Sequence, residues 1–462
     1  MPPLRGKPRT WRARPAIRSW SRRQQTQRMA TLMAPERIVE HTKRDGPQED
    51  GHAQIVARRC SSCDWTRHYQ GARPFLTPAI SLESPRPRVT ALLEVASTYA
   101  HTMLLAAALA ALPADAALGR MWSVRPDGSG DAPTIQAAID SAATGDSVIV
   151  APGTYHENLR IVGKTLYLAG ALRAEVTTVD GGQRTNVVRM RDGTVERLTL
   201  RNGLSTQGGG VYIAERSSAI VRHCIIEHNV AGPYVDSGLG GGVYCGYSPQ
   251  TLIEENIIRH NSAGNSGGGI TGDAVIRNNL VYLNAAHNTG GGIQGGGVVG
   301  GNIIVDNYAD NQAAGVCGGG DFRNNTIAGN VVGQPGVAVN ALGPSHLVGN
   351  IFVWNTSVFA NGRANVLACD GCTLECNNFW ENDNDAVLGT GITRIDDFAL
   401  DPQFCGVDPL ASLNFALQQD SPCAPGHHPS GAACGLIGAA PIGCNTVAIS
   451  RLTWGGVKSL YR

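Results

Sequence analysis

Candidate chemistry in this chain sits in columns rather than in one compact motif. Four residues after a recurring anchor lie His228, His260, Leu283 and Asp306, and two residues before it lie Arg222, Glu254, Arg277 and Arg323. Imidazole and carboxylate groups are the types that pass protons to and from a glycosidic oxygen. If the anchors mark stacked rungs, neighbours in a column stand about 5 Å apart and next neighbours about 10 Å, which brackets the carboxylate separations that sugar hydrolysis needs. The longest insertion between repeats, 231–239, adds Tyr234 and Asp236 at the same end. The candidate groove is therefore His228, His260, Asp306, Glu254 and Arg277 as groups for catalysis, with Tyr234 and Asp236 as ligand contacts. Outward charges on strands more commonly form a solvated face of cross-strand pairs, and that reading has the greater weight.

The elements that must position these columns are written in the repeat itself. Asn256, Asn279, Asn302 and Asn325 are spaced by 23 residues, Asn350 and Asn377 extend the series, and an earlier copy has Cys224 at the anchor. Each anchor opens a phrase such as Asn302-Ile303-Ile304-Val305-Asp306-Asn307, and Gly triplets at 208–210, 240–242, 267–269 and 290–292 precede several of them. A fixed period of this size is the mark of a solenoid. Apolar residues alternate about the anchor with the period of a strand: Val221, Ile253, Ile276, Val299 and Phe322 three before it, Ile226, Ile258, Val281, Ile304 and Ile327 two after it. Three short strands per turn, joined by Gly and Asn corners, predict a right-handed parallel β-helix. The corner asparagines then stack, each amide donating to one rung and accepting from the other, so they read as structure and not as a sugar site.

One column breaks the alternation. Directly after the anchor come Ile225, Ile257, Leu280, Ile303, Thr326, Ile351 and Asn378, mostly apolar although the position should face outward. A corner that turns them inward, a terminal segment that covers them and an apolar strip made for a partner all remain open.

The remainder of the chain divides unevenly. Residues 1–100 hold 18 Lys and Arg against eight Asp and Glu, while the rest holds 20 against 29, so the net charge of +1 hides an asymmetry. The first stretch has no sustained apolar period and reads as a disordered or mis-annotated extension. An Arg-rich arm is the only feature pointing to nucleic acid, and no nucleic-acid partner is assigned. Residues 101–118 contain a short apolar run from Met103 to Leu112, followed by Ala114-Asp115-Ala116, which reads as a signal peptide and not as a membrane span. The chain is then expected to be secreted or at the cell surface, with translation starting near Met103. Ten cysteines follow, crowded toward the end, and suggest disulfides of unspecified connectivity. The cluster Cys369, Cys372 and Cys376 lacks the partners of a zinc site. Residues 119–400 are assigned to the β-helix, with Thr134–Ala142 as a helical cap on its first turn. Residues 401–445 are assigned to a disulfide-rich cap sealing the last turn, and 446–462 to a tail.

The run Thr134-Ile135-Gln136-Ala137-Ala138-Ile139, then Gly145-Asp146, then Val150-Ala151-Pro152-Gly153-Thr154-Tyr155-His156-Glu157-Asn158, followed by Asn-anchored rungs, carries a family resemblance. It resembles the secreted bacterial right-handed parallel β-helix proteins of the pectin-lyase-like superfamily. The resemblance spans about residues 122–445 and implies the fold. It does not imply a reaction, because that superfamily includes lyases, hydrolases, esterases and adhesins. Gly153-Thr154-Tyr155-His156-Glu157 is similar to the first region of pectin methylesterases, whose paired-Asp motifs do not follow. The Gly-His-Gly and Arg-x-Lys of polygalacturonases and the Arg-x-Pro-x-x-Arg of pectate lyases are absent from the coil. The expected function is thus a module presenting a long face to a polysaccharide or cell-surface glycan. The alternatives are a lyase or glycoside hydrolase on acidic polysaccharide and a rigid envelope spacer. No cofactor is evident; Ca²⁺ is the ion that an Asp cage would take.

Overall fold

The computed structural model describes residues 119–232, 234–334, 336–358 and 365–444. The expected extension, signal peptide and tail lie outside the described residues. Within them, the repeat folds as the alternation dictates. Ile257 pairs with Leu280, Leu280 with Ile303, Ile303 with Thr326, Thr326 with Ile351 and Ile351 with Asn378, every step parallel. Three sheets build the coil: A with 20 strands, B with ten, and C with seven, the last confined to Leu204 through Ser357.

Sheet A is wider than expected. It contains two files of strands, one after the glycines (Val243, Ile270, Ile293, Val316) and one before the anchor (Ile253, Ile276, Val299, Phe322). The strands Val243–Glu254 and Ile270–Arg277 run through both files, so those turns carry the expected three strands, and from Ile293 onward the files separate and a turn carries four. The bend between the files needs glycine: at Gly295, with φ 147°, a Cβ would lie 2.1 Å from the Gly272 carbonyl oxygen of the neighbouring rung.

Inward residues of sheets A and B form one continuous core, in which Phe352 and Phe379 stack at 4.8 Å, and Ala309 and Val332 of sheet C form a small cluster with Ala314. Each turn bends twice about sheet B, at a residue with positive φ. The first bend uses Glu255, Asn278 and Asn324, and the second uses His260, Leu283 and Asp306. After each bend an Asn points inward. In the first file Asn256 Nδ2 donates to Asn279 Oδ1 at 3.1 Å, Asn279 to Asn302 at 3.0 Å, Asn302 to Asn325 at 3.1 Å, and Asn325 and Asn350 onward at 2.9 Å. A second file runs from Asn229 through Asn261, Asn284, Asn307, Asn330 and Asn355 to Asn382. The backbone N–H of Asn256, Asn279 and Asn302 also donates to the next amide oxygen. The first file ends on Asp397, which only accepts: one oxygen takes Asn377 and the other takes Arg394. No amide donor is left over there, where an unpaired buried group would cost roughly 1–3 kcal/mol.

The first turn is covered by helix α1 (Ile135–Ser141), which buries Ile135, Ala138 and Ile139. Thr134 caps its start, and the Glu157 carboxylate accepts from Ile135 N–H at 3.0 Å and Gln136 N–H at 2.9 Å. Lys164 closes the other end by donating to the carbonyls of Ile139 and Ala142. Glu157 of the Gly153–Glu157 run is thus occupied in holding a helix.

The C-terminal segment departs from expectation. Instead of sealing the last turn it lies along the outer face of sheet B. Phe404, Phe415, Leu417, Cys423, Cys434, Ile437 and Ala440 pack on Val305, Ala328, Ile351 and Val353. Ala439 N–H donates to Thr326 Oγ1 at 3.0 Å, and Asn378 Nδ2 donates to the Leu400 carbonyl at 2.8 Å. This covering segment accounts for the apolar column from Ile303 onward. Leu388 and Ile395 on the last turn stay 45% and 43% exposed. Disulfides Cys376–Cys434 and Cys405–Cys444 pin the segment, while Cys224, Cys245, Cys317, Cys369, Cys372 and Cys423 are buried thiols. Cys376, of the Cys369, Cys372 and Cys376 cluster, is thereby committed to a disulfide.

Candidate functional site

The second bend fixes the histidine column. A left-handed residue turns the chain from sheet B into sheet C and throws its side chain outward, and His, Asp and Asn tolerate that conformation better than bulky residues. His228 and His260 do this on adjacent rungs, so their rings stack at 5.1 Å with planes 2° apart. Tyr282 meets His260 edge-on, and Arg259 bonds both the Tyr282 hydroxyl and Glu227 at 2.8 Å. Packing around its ring, then the neighbouring His228 and Arg259, bring the His260 imidazole down to about 4. Leu283 interrupts the column before Asp306.

Glu254 and Arg277 lie elsewhere. They pair at 2.8 Å on sheet A, before the first bend, in a register that runs Glu196, Arg222, Glu254, Arg277. Arg222 holds Glu196 at 2.9 Å, and the Tyr167 hydroxyl donates to the same carboxylate at 2.9 Å. Burial alone would raise Glu196, but these donors hold it below the usual carboxylate range. This is a rail of alternating charges on a strand face, the solvated arrangement weighed in the sequence. The structure therefore places the seven candidates on two faces: Glu254 and Arg277 on sheet A, the others on the sheet C side.

On that side the loop residues 234–239 follow the sheet C strand Val230–Ala231, with Tyr234 78% exposed. It rests on the next rung, where Asn265 N–H donates to the Gly238 carbonyl at 3.2 Å and Asn265 Nδ2 to the Asp236 carbonyl at 3.4 Å. Below it stands a group that the sequence reading missed. His287 Nδ1 meets Asp310 Oδ2 at 2.7 Å, and the Tyr308 hydroxyl donates to Asp310 Oδ1 at 2.5 Å. Burial first, and then the Asp310 bond, raise the Tyr308 phenol well above its ordinary value. Beside this group Asn288 Nδ2 donates to Asn265 Oδ1 at 3.3 Å and Asn311 Nδ2 to Asn288 Oδ1 at 3.4 Å, a third and exterior amide file. His287 and Asp310 stand eight residues after their anchors, a column found by reading each repeat four residues further.

Charge on this face is one-sided. Stretches 228–240, 260–266, 283–290, 306–312 and 329–334 contain Asp236, Asp306 and Asp310 and no Lys or Arg. Among the described residues, no three carboxylate, imidazole or thiol groups gather as metal ligands.

Residues 175–332 match the family model described as a right handed beta helix region. The solenoid is a right-handed parallel β-helix. Among solved structures this β-helix is similar to that of rice weevil pectin methyl esterase, 11% identical, covering 59% of this chain and 88% of that one with a TM-score of 0.24. No curated protein matches the chain at a significant level. Among the described residues of the β-helix, no helix is long and apolar enough to cross a membrane.

Proposed function

We propose that this β-helix binds carbohydrate along the sheet C side, between the His228–His260 corner and the His287–Asp310 group. The observation that carries the reading is the Tyr234 ring, 78% exposed on a loop that overhangs a face of imidazoles and side-chain amides. An aromatic plane offers a surface to the C–H side of a sugar, and amides and imidazoles match its hydroxyls. The two disulfides support an extracellular setting, since such bonds persist in oxidising compartments. A lyase or hydrolase is the second reading, favoured by the carboxylate-held imidazole of His287, an arrangement suited to proton transfer.

The test uses the full chain produced in an oxidising compartment and passed over immobilised polysaccharides, with retention and released products both recorded. Retention that falls about tenfold in Tyr234→Ala, with no products, supports the binding face. New reducing ends or unsaturated products, abolished by His287→Ala, establish the enzyme instead. Equal retention of wild type and Tyr234→Ala removes the loop from the site.

A further inference from the structure

The group at His287 has more structure than a surface ion pair requires. Asp310 spends one oxygen on the Tyr308 hydroxyl and the other on His287 Nδ1, at 2.5 and 2.7 Å. An ionised carboxylate only accepts, so in the neutral imidazole the proton sits on Nδ1 and Nε2 presents a lone pair. No described protein group meets Nε2. Tyr308 stiffens the carboxylate from behind, as the outer partner of a histidine fixes its tautomer in other sites. Next to this acceptor, Asn288 uses its oxygen on Asn311 and one amide hydrogen on Asn265, which leaves its second N–H as a donor. Two consecutive residues of one rung thus offer an oriented acceptor and a donor, groups that the hydroxyls of a glycan satisfy.

The absence of Lys and Arg from these stretches narrows the ligand. Asp236, Asp306 and Asp310 set a negative potential there, and Arg259, the cation beside His260, is spent on Glu227 at 2.8 Å. A polyuronate brings one carboxylate per sugar toward that potential and is repelled, whereas an uncharged glycan meets no such penalty and an amino-bearing one is attracted.

We propose that His287, positioned by Asp310 and Tyr308, accepts a hydroxyl hydrogen bond from an uncharged or amino-bearing glycan, and that this face discriminates against polyuronates. The proposal rests on the carbohydrate-binding reading and specifies its ligand class.

Affinity electrophoresis of the full chain tests it with three probes: an uncharged β-glucan, chitosan oligomers, and polygalacturonate with a chelator present. Wild type should be retarded by the glucan or the chitosan and not by polygalacturonate. His287→Ala should weaken that retardation about tenfold and Asp310→Asn about threefold, the scale of one hydrogen bond lost and one disordered. Both side chains lie outside the core and the interior Asn files, so an unchanged melting curve checks that the fold persists. Salt that abolishes chitosan retention but spares glucan retention supports the assigned charge. Retention unchanged in His287→Ala, or a preference for polygalacturonate, overturns the assignment while leaving carbohydrate binding intact. No retention by any probe overturns the carbohydrate reading and the assignment together.

Discussion

Sheet B has two halves built on the same repeat and finished differently. From Thr199 to Tyr282 its outward positions mix Thr, Ile and Leu with Arg, Glu and Tyr, and ion pairs such as Arg201–Asp180 and Arg259–Glu227 close over the surface. From Val305 to Val353 those positions are Val, Ala, Ile and Thr, buried beneath the C-terminal segment. The interior cannot tell the two halves apart, since Ile258, Ile304 and Phe352 do the same work in each. Outward composition records what a rung meets outside, and a solenoid can change that without altering its coil.

The strongest way to break the difference is to release the covering segment. Cys434→Ser removes a bond between residues 58 apart in sequence and should lower stability by about 4 kcal/mol, read from denaturant midpoints under oxidising conditions. A paired substitution sharpens the contrast: Ile351→Ala should cost about 3 kcal/mol and Ile257→Ala about 1 kcal/mol, because only the first is fully covered. Equal losses would show that the segment does not stabilise the face it lies on. Asn302→Ala, at the boundary and beneath both halves, should cost about 2 kcal/mol by stranding the amides on either side of it.

The smallest expected effect concerns acidity and belongs to the uncovered half, where the His260 side chain is exposed and solvent screens its interactions. His260 in the folded chain sits at about 4, below the ordinary imidazole of the unfolded chain at about 6.5, so the unfolded state binds the extra proton between those values. Stability should be full above pH about 6.5 and decline as pH falls toward 4. His260→Gln should flatten that part of the profile, while a substitution at Ile351 should leave its slope unchanged.

Much of the fold was legible because a repeat states each rule many times. The 23-residue spacing, the inward alternation and the stacked amides all follow from Asn256 to Asn325 alone. The histidine stack was legible too, as a column at constant offset. What escaped has no period. The covering segment touches Thr326 through Ala439, 113 residues away in sequence, and nothing in Gly438-Ala439 announces a partner. His287, Asp310 and Tyr308 occupy two adjacent rungs only, so they form no column long enough to attract notice. Glu254 and Arg277 were legible as outward charges, but their face was not, because the width of sheet A depends on where glycine lets a strand bend.

The evenly spaced amides have a bearing on how such a chain could change length. Each Asn from 256 to 302 hands its hydrogen bond to an identical residue 23 positions on, so a whole rung could be duplicated or lost between them with every donor still finding an acceptor. The terminal parts offer no such freedom, since Asp397 finishes one file and the pinned segment is fitted to particular rungs. Gain and loss of whole units should therefore be tolerated in the middle of the coil, where they would lengthen or shorten the outer face in steps of about 4.8 Å.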